Sequence, residues 1–144
     1  MSGERRHILL GVTGSIAAYK AVEIARLLAK RDWVVHPAMT KGAMRFITPL
    51  TFEAITGQRV AADVFAPVAS DAIAHVELAH RIDFALVAPA SANFIARLAG
   101  GMADEALLAT LLATRAPLAV APAMESGMWE NPVTRENVAK LVAR

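Results

Sequence analysis

HILLGVTG, residues 7–14, is a short apolar run closed by a tight Gly-x-x-Gly turn. Apolar residues then recur with helical spacing over residues 16–28. This order predicts a buried strand at His7–Val12, a turn, and an amphipathic helix. A continuous apolar strand that leads directly into a helix is typical of a parallel sheet with both faces covered.

The alternation of strands and helices continues along the whole chain. Further buried strands are predicted at residues 33–38, 84–88 and 118–121, and helical segments at 49–56, 91–112 and from 132 onward. Thr48 before Pro49 is typical of an N-cap, and Gly57 of a helix end. Residues 61–74 are expected to form a surface loop ahead of His75. The sequence therefore predicts one α/β domain with a doubly wound parallel sheet and helices on both faces.

Composition narrows the classes of function. The chain has 144 residues, 56% of them hydrophobic and 19% charged, which favours one domain with surface covered by further subunits. Its apolar runs fall far short of the ~20 residues of a membrane-spanning helix, and its polar start lacks a signal-peptide pattern, so we expect a cytoplasmic protein. The absence of cysteine excludes thiol chemistry within this chain. A net charge of +2 with scattered basic residues argues against nucleic acid but allows a small anionic ligand.

Ligands of doubly wound sheets bind outside the carboxyl ends of the strands. Gly14 and Ser15 follow the first strand, where free N–H groups and the helix dipole favour a phosphate; alternatively, Ser15 is an ordinary N-cap in a tight turn. Thr40 follows the second strand and could bind a phosphate oxygen or cap the next turn. The dinucleotide motif G-x-G-x-x-G is absent, which disfavours nicotinamide dinucleotides.

Two later segments also carry candidate residues. Residues 89–93, PASAN, place small and hydrogen-bonding side chains at a strand end, which suits a flat polar ring or a simple helix cap. His75 lies beside Glu77, a possible carboxylate partner, ahead of a short helix; it is either a titrating imidazole or a structural histidine. Met128 and Trp129, considered on their own, are typical of ordinary core or interface packing. Neither metal-ligand spacing nor a nucleophile elbow is present, so the chemistry is expected to belong to a bound cofactor.

In chain order, GVTGSIAAYKAVEIARLL, FITPLTFEAITG, HVELA, APASANFIARLAGGMADEALLATLLA and PAMESGMW resemble the phosphopantothenoylcysteine decarboxylase family of flavin-dependent cysteine decarboxylases. The resemblance covers nearly the whole chain. It implies a Rossmann-like fold that binds FMN and assembles into homotrimers or multiples of trimers, such as a dodecamer, with the flavin near a subunit interface.

The resemblance also implies roles for particular residues. His75 is expected to be the catalytic base, facing a flavin that a neighbouring subunit could hold. Glu125 and Met128 match the segment that contacts the substrate. The positions expected to bind FMN are Gly14, Ser15, Ile16, Thr40, Ser91, Ala92, Asn93, Phe94 and Ala123.

The implied activity is the FMN-dependent decarboxylation of 4'-phospho-N-pantothenoylcysteine to 4'-phosphopantetheine in coenzyme A biosynthesis. In the family, flavin takes a hydride from the cysteine moiety, the thioaldehyde-type product loses carbon dioxide, and the enethiol is reduced. Another flavin enzyme on the same fold, a peptidyl-cysteine decarboxylase or a flavin reductase, is the alternative, and a regulatory subunit without activity is a third possibility.

Three departures from the family pattern bear on substrate handling. Glu125 replaces an asparagine that the family uses on its substrate, and two carboxylates 4 Å apart repel by about 4 kcal/mol at an effective dielectric near 20. Phe94 replaces a threonine near the flavin. The family's substrate-covering flap and its reducing cysteine are expected beyond Arg144, so we expect residues 1–144 to be the flavin-binding domain without that flap.

Overall fold

The computed structural model describes residues 3–62 and 74–144. Its strands are β1 (His7–Val12), β2 (Val34–Met39), β3 (Phe84–Ala90) and β4 (Leu118–Pro122). Its helices are α1 (Ala18–Lys30), α2 (Pro49–Thr56), α3 (Ala74–Arg81), α4 (Ala92–Ala99), α5 (Ala106–Ala113), α6 (Ser126–Glu130) and α7 (Pro132–Val142), with a 3₁₀ turn at Ala43–Arg45. None of the described helices is long and apolar enough to cross a bilayer.

The four strands form one parallel sheet in the order β2-β1-β3-β4. Leu9 of β1 points to a core shared with α4 and α5, while the alternate residues Ile8 and Leu10 point to a core shared with α1 and α2. Both faces of the central strand are therefore buried under helices, which explains its unbroken apolar sequence. The predicted doubly wound, Rossmann-like α/β fold is confirmed.

Small residues allow the helices to pack closely on the sheet. Ala18, Ala21 and Ala25 lie at i, i+3 and i+7 of α1 and are fully buried against it. On the other face, a Cβ atom on Gly11 would come within 2.7 Å of a methyl group of Leu107. Glycine in β1 therefore leaves the room that α5 needs.

The structure corrects several predicted element bounds. Residues 91–112, predicted as one helical segment, form two helices because α4 ends at Ala99 and Gly101 adopts a left-handed φ of 74°. Two consecutive glycines have the least helical preference of any pair except those with proline, so the chain turns there. The second strand lies one residue later than predicted, the third and fourth strands run on to Ala90 and Pro122, and α6 was not predicted.

The helix at residues 49–56 is confirmed, although Thr48 makes no side-chain cap hydrogen bond to it. Most of the expected surface loop, residues 63–73, lies outside the described residues. Ala61, at its start, forms a parallel bridge to Ala38. Ala74 begins α3, so His75 lies in the first turn of that helix rather than ahead of it.

Candidate functional site

A cleft of about 270 Å³ opens at the carboxyl ends of the strands. The chain leaves β1 for β2 on one side and places β3 on the other side, so the strand order reverses between β1 and β3. Crevices at such a reversal are where doubly wound sheets bind ligands. The cleft is lined by Gly14, Thr40, Gly42, Ser91, Ala92, Asn93, Phe94, Arg97, Glu105 and Met128.

This cleft brings together most of the residues predicted from the sequence. The predicted residues that line it are Gly14, Thr40, Ser91, Ala92, Asn93, Phe94 and Met128. The predicted residues that are not among its lining are Ser15, Ile16, His75, Ala123 and Glu125. Sequence reasoning missed Gly42, Arg97 and Glu105, since their place depends on how loops and helices meet in three dimensions.

Two loops meet at the mouth of the cleft through glycine backbones. A Cβ atom on Gly14 would lie 3.1 Å from the backbone of Gly42, and one on Gly42 would lie 3.2 Å from the Cα atom of Gly14. Such contacts are too close for an unadjusted side chain. The turn after β1 and the turn after β2 therefore approach this closely without adjustment because both residues are glycine.

The hydroxyl groups of Thr40 and Ser91 cap the turns that follow them. Capping is the simpler of the two roles that the sequence allowed for each residue. The Thr40 Oγ1 atom accepts the N–H of Ala43 at 3.1 Å, and the Ser91 Oγ atom accepts the N–H of Phe94 at 3.1 Å. Accepting leaves each hydroxyl hydrogen free to donate. Both residues therefore shape the local backbone and can still offer a donor to a ligand in the cleft.

Backbone donors remain free beside these caps. Ser15 N–H bonds to Thr13, and Ala17 N–H bonds to the Ser15 hydroxyl at 3.2 Å, which supports the turn-and-cap interpretation of Ser15. The N–H groups of Gly14 and Ile16 make no hydrogen bond within residues 3–62 and 74–144. They lie just before the 13-residue helix α1, whose positive dipole end favours an anion.

Thr13, which is fully buried, joins the ends of β1 and β3. Its hydroxyl donates to the carbonyl oxygen of Pro89 at 2.7 Å and accepts the N–H of Ser91 at 2.9 Å. The register of β3 against β4 shifts between Val87 and Ala90, so β3 is irregular where Thr13 meets it. Ser91 and α4 follow directly from this junction.

Charged side chains form one wall of the cleft. Arg97 pairs with Asp104, and its Nη1 atom lies 3.4 Å from the Glu105 Oε1 atom. The side chains of Arg97 and Glu105 are 23% and 13% exposed. Their Nε and Oε2 atoms are buried and have no hydrogen-bond partner in the described ranges. Two carboxylates pair with the Arg97 guanidinium, and one of them lines the cleft, so this wall does not favour an anion. The free N–H groups beside α1 are the better place for a phosphate.

Phe94 is buried more deeply than a residue that only contacts a cofactor. Its side chain is 3% exposed and packs in the core cluster that contains Leu9 and Leu107. The aromatic ring therefore anchors α4 against the sheet, and the part of Phe94 that reaches the cleft is a small fraction of its surface.

His75 lies apart from the cleft lining, on α3, which packs against α5. Its Nδ1 atom is buried and has no hydrogen-bond partner among residues 3–62 and 74–144. Glu77 forms a 2.9 Å ion pair with Arg81 and does not bond that nitrogen. If His75 acts on a bound ligand, that ligand must lie against α3, outside the lining of the cleft described above.

The segment after β4 is ordered by its own side chains. Ala123 N–H bonds to the carbonyl oxygen of Ala90 at 3.0 Å, which extends the β3–β4 pairing. The Glu125 Oε2 atom accepts the N–H groups of Gly127 at 2.8 Å and Met128 at 3.3 Å, so its carboxylate caps α6. Glu125 itself is exposed, and Met128 is 49% exposed.

A larger groove of about 600 Å³ lies on the β4 side of the molecule, bordered by α4, α5 and α7. Its lining is mostly apolar and includes none of the predicted site residues. Within residues 3–62 and 74–144, no three His, Asp or Glu side chains are grouped so that they could hold a metal ion. The smaller cleft is therefore the candidate site.

Residues 1–144 match the Flavoprotein family along their full length. This chain is a member of the Flavoprotein family. It is 45% identical over 139 residues to the coenzyme A biosynthesis bifunctional protein CoaBC of Vibrio cholerae, a match that covers 96% of this chain and 35% of that protein. The flavoprotein chain thus spans about a third of the length of the curated relatives it matches.

Solved structures of flavin-dependent decarboxylases superpose closely on this flavoprotein. The FMN-dependent cysteine decarboxylase SpaF is 33% identical, with a TM-score of 0.90 over 96% of this chain and 79% of that one. A PPC decarboxylase variant complexed with pantothenoylaminoethenethiol is 29% identical, with a TM-score of 0.85 over 97% of this chain and 79% of that one. The family resemblance expected from the sequence motifs is confirmed.

Proposed function

We propose that this chain is an FMN-dependent carboxy-lyase domain that decarboxylates 4'-phospho-N-pantothenoylcysteine to 4'-phosphopantetheine in coenzyme A biosynthesis, in the cytoplasm. The observation that carries the proposal is the cleft, in which residues from three separate sequence motifs meet at the carboxyl ends of the strands. The 45% identity to CoaBC, which extends over nearly all of this chain, supports the choice of reaction.

The residues of the cleft fit FMN. The free N–H groups of Gly14 and Ile16 and the dipole of α1 suit its phosphate, and the hydroxyls of Thr40 and Ser91 suit phosphate or ribityl oxygens. The exposed side-chain amide of Asn93 makes no hydrogen bond among the described residues and is available to a polar ring edge. Ser15, Ala92, Phe94 and Ala123 belong to the same proposed site, mainly through the backbone that they order.

A single copy offers only part of the site. The cleft, at about 270 Å³, is slightly smaller than the roughly 300–1,000 Å³ of a usual cofactor pocket. Ile16 beside it is 79% exposed, and Tyr19 and Leu50 are 62% and 69% exposed. These three side chains lie on α1, α2 and the turn before α1, and a partner that covered them together would bury a contiguous apolar patch. We propose a homo-oligomer, a trimer or a multiple of trimers, in which a second copy completes the flavin site.

The chemistry that FMN supplies when bound is reversible acceptance of a hydride from the cysteine moiety of the substrate. His75 is the proposed base that takes a proton from the substrate, and in the oligomer it faces the cleft of a neighbouring copy. Its buried Nδ1 atom makes no hydrogen bond to the part of the chain that the structure describes, so the imidazole has a hydrogen-bonding position that these residues do not use. Met128 at the cleft mouth is the proposed apolar contact for the substrate.

Glu125 is the proposed substrate-binding residue at the start of α6. Its Oε2 atom is held by two backbone N–H groups, which partly offset its charge and direct the carboxylate toward α6. An asparagine at this position would also cap the helix. The glutamate therefore preserves the local fold while it weakens the attraction of this site for a substrate carboxylate.

The proposal is tested with purified protein, added FMN and substrate under anaerobic conditions. We expect a yellow protein with about one FMN per chain after gel filtration, and release of carbon dioxide from 4'-phospho-N-pantothenoylcysteine. A colourless protein that does not bind added FMN would remove the flavin site. A particle mass equal to one chain by light scattering would contradict the proposed oligomer.

A second candidate is decarboxylation of a peptidyl cysteine, which the presence of Glu125 favours. The same anaerobic assay with a peptide that ends in cysteine separates the two functions. Carbon dioxide released from the peptide alone would replace the coenzyme A reaction with the peptide reaction, while FMN binding would stand in both cases.

A further inference from the structure

Thr13 lies at the point where the strand order reverses, and its hydroxyl has one partner on β3 and one in the residue that follows β3. The hydroxyl donates to the Pro89 carbonyl oxygen and accepts the Ser91 N–H. One buried side chain therefore satisfies two backbone groups that are two residues apart. The backbone N–H of Thr13 also reaches the Pro89 carbonyl oxygen at 3.3 Å. Among the described residues, these three hydrogen bonds join Thr13 to the end of β3.

These hydrogen bonds matter because the regular backbone pairing between β1 and β3 ends before Thr13. The register of β1 with β3 ends at Gly11 and Val87, and the register of β3 with β4 shifts between Val87 and Ala90. A strand end outside the ladder has unpaired backbone groups that need other partners when they are buried. Thr13 supplies those partners, and no solvent reaches it, since it is 0% exposed.

The position of the cleft wall depends on this junction. Ser91 directly follows β3 and is the N-cap of α4, so a shift of Ser91 moves the first turn of α4 with it. Ala92 and Asn93 in that turn line the cleft, opposite Gly14, which follows Thr13 directly. The hydroxyl of Thr13 therefore sets the separation between the two walls.

We propose that Thr13 is a positioning residue for the cofactor: its hydroxyl holds the N-terminus of α4 at the distance from Gly14 that FMN requires. This inference rests on the proposed function. Thr13 is not among the residues that line the cleft, so it acts through Ser91 and not by contact with the ligand.

The test compares Thr13→Val with a matched variant, Thr110→Val. Both threonines are 0% exposed, and the Thr110 hydroxyl donates to the Ala106 carbonyl oxygen at 2.7 Å within α5, without lining the cleft. Valine keeps the shape of threonine and removes the hydroxyl. We expect the dissociation constant of FMN, measured by quenching of flavin fluorescence, to rise about tenfold in Thr13→Val and to stay within about twofold of wild type in Thr110→Val.

Thr13→Ser, which restores the hydroxyl, should return the dissociation constant to within about threefold of wild type. If Thr13→Val binds FMN as tightly as wild type while its melting temperature falls, Thr13 is only structural and the inference is wrong. If Thr13→Val does not fold, Thr13→Ala, which also removes the hydroxyl, replaces it: weakened FMN binding in Thr13→Ala supports the inference, and wild-type binding overturns it. Failure of the wild-type protein to bind FMN would instead reject the proposed function itself.

Discussion

At the scale of single residues, His75 offers the sharpest separation of chemistry from binding. It lies on α3, outside the cleft lining of its own chain. Asparagine is polar and of similar size but cannot act as a base near neutral pH. We expect His75→Asn to retain FMN and to lose carbon dioxide release by at least about 100-fold, measured in the anaerobic assay. Turnover at the wild-type rate would exclude His75 as the base.

Glu125 can be tested in the opposite direction, for a gain of activity. Glu125→Asn removes a negative charge and keeps a side chain that caps α6, so the fold should be unaffected. We expect kcat/KM for 4'-phospho-N-pantothenoylcysteine to rise, by about tenfold if the substrate carboxylate approaches this position. Glu125→Gln is the matched variant, since it removes the charge and keeps the length. An unchanged kcat/KM in both variants would place the substrate elsewhere.

Individual residues also show the limits of the sequence. Caps such as Ser91 were open to prediction because capping depends on neighbours along the chain. Arg97 and Glu105 were not, because they come together only after the chain turns back at Gly101. Thr13 follows the first strand as predicted, but nothing in the sequence indicates that its hydroxyl reaches β3.

At the scale of elements, the two loops that touch through Gly14 and Gly42 provide another test. Gly14→Ala places a Cβ atom 3.1 Å from the Gly42 backbone, so the loops must move apart by a few tenths of an ångström. Because both loops line the cleft, we expect FMN to bind about fivefold to tenfold more weakly, measured by fluorescence titration.

The control for this change is Gly57→Ala at the end of α2. Gly57 has a left-handed φ of 69° and nothing near its Cβ position, so alanine there strains the backbone by about 1 kcal/mol without reaching the cleft. We expect Gly57→Ala to lower the melting temperature and leave FMN affinity unchanged. Equal affinities of wild type and Gly14→Ala would show that the loop contact does not shape the site.

Element patterns in the sequence were reliable where burial is uniform. The strand His7–Val12 and the helix Pro49–Thr56 match their predicted bounds, because an apolar run, a proline start and a glycine end each have a direct physical effect. The helical pattern over residues 91–112 was misleading, since apolar spacing continues across Gly100 and Gly101 although the backbone does not.

At the scale of the whole molecule, a buried histidine that does not line the cleft links the stability of the fold to pH. His36 of β2 is 7% exposed, and its Nε2 atom lies 2.8 Å from the Nδ1 atom of His7. Burial, with smaller effects of His7 and Arg81, lowers the pKa of His36 to about 4. The folded protein therefore keeps this ring neutral in a range where an unfolded chain, with a pKa near 6.5, binds a proton.

The direction of the pH effect follows from this difference. As the pH falls from about 6.5 to about 4, the unfolded chain binds one more proton than the folded protein, so the free energy of unfolding decreases. The full loss is roughly 3 kcal/mol, and it levels off below pH 4, where both states are protonated. The range from pH 6.5 to 5 is the most informative, since ordinary carboxylates titrate below it.

Urea denaturation at fixed protein and FMN concentrations measures this effect, and glutamine variants separate its source. His36→Gln removes the titrating ring, so its free energy of unfolding should change little between pH 6.5 and 5. His80→Gln, which alters an exposed histidine of α3, should retain the slope of the wild type. A wild-type slope in His36→Gln would mean that another group binds the proton on unfolding, and that burial of His36 does not govern the acid sensitivity of the fold.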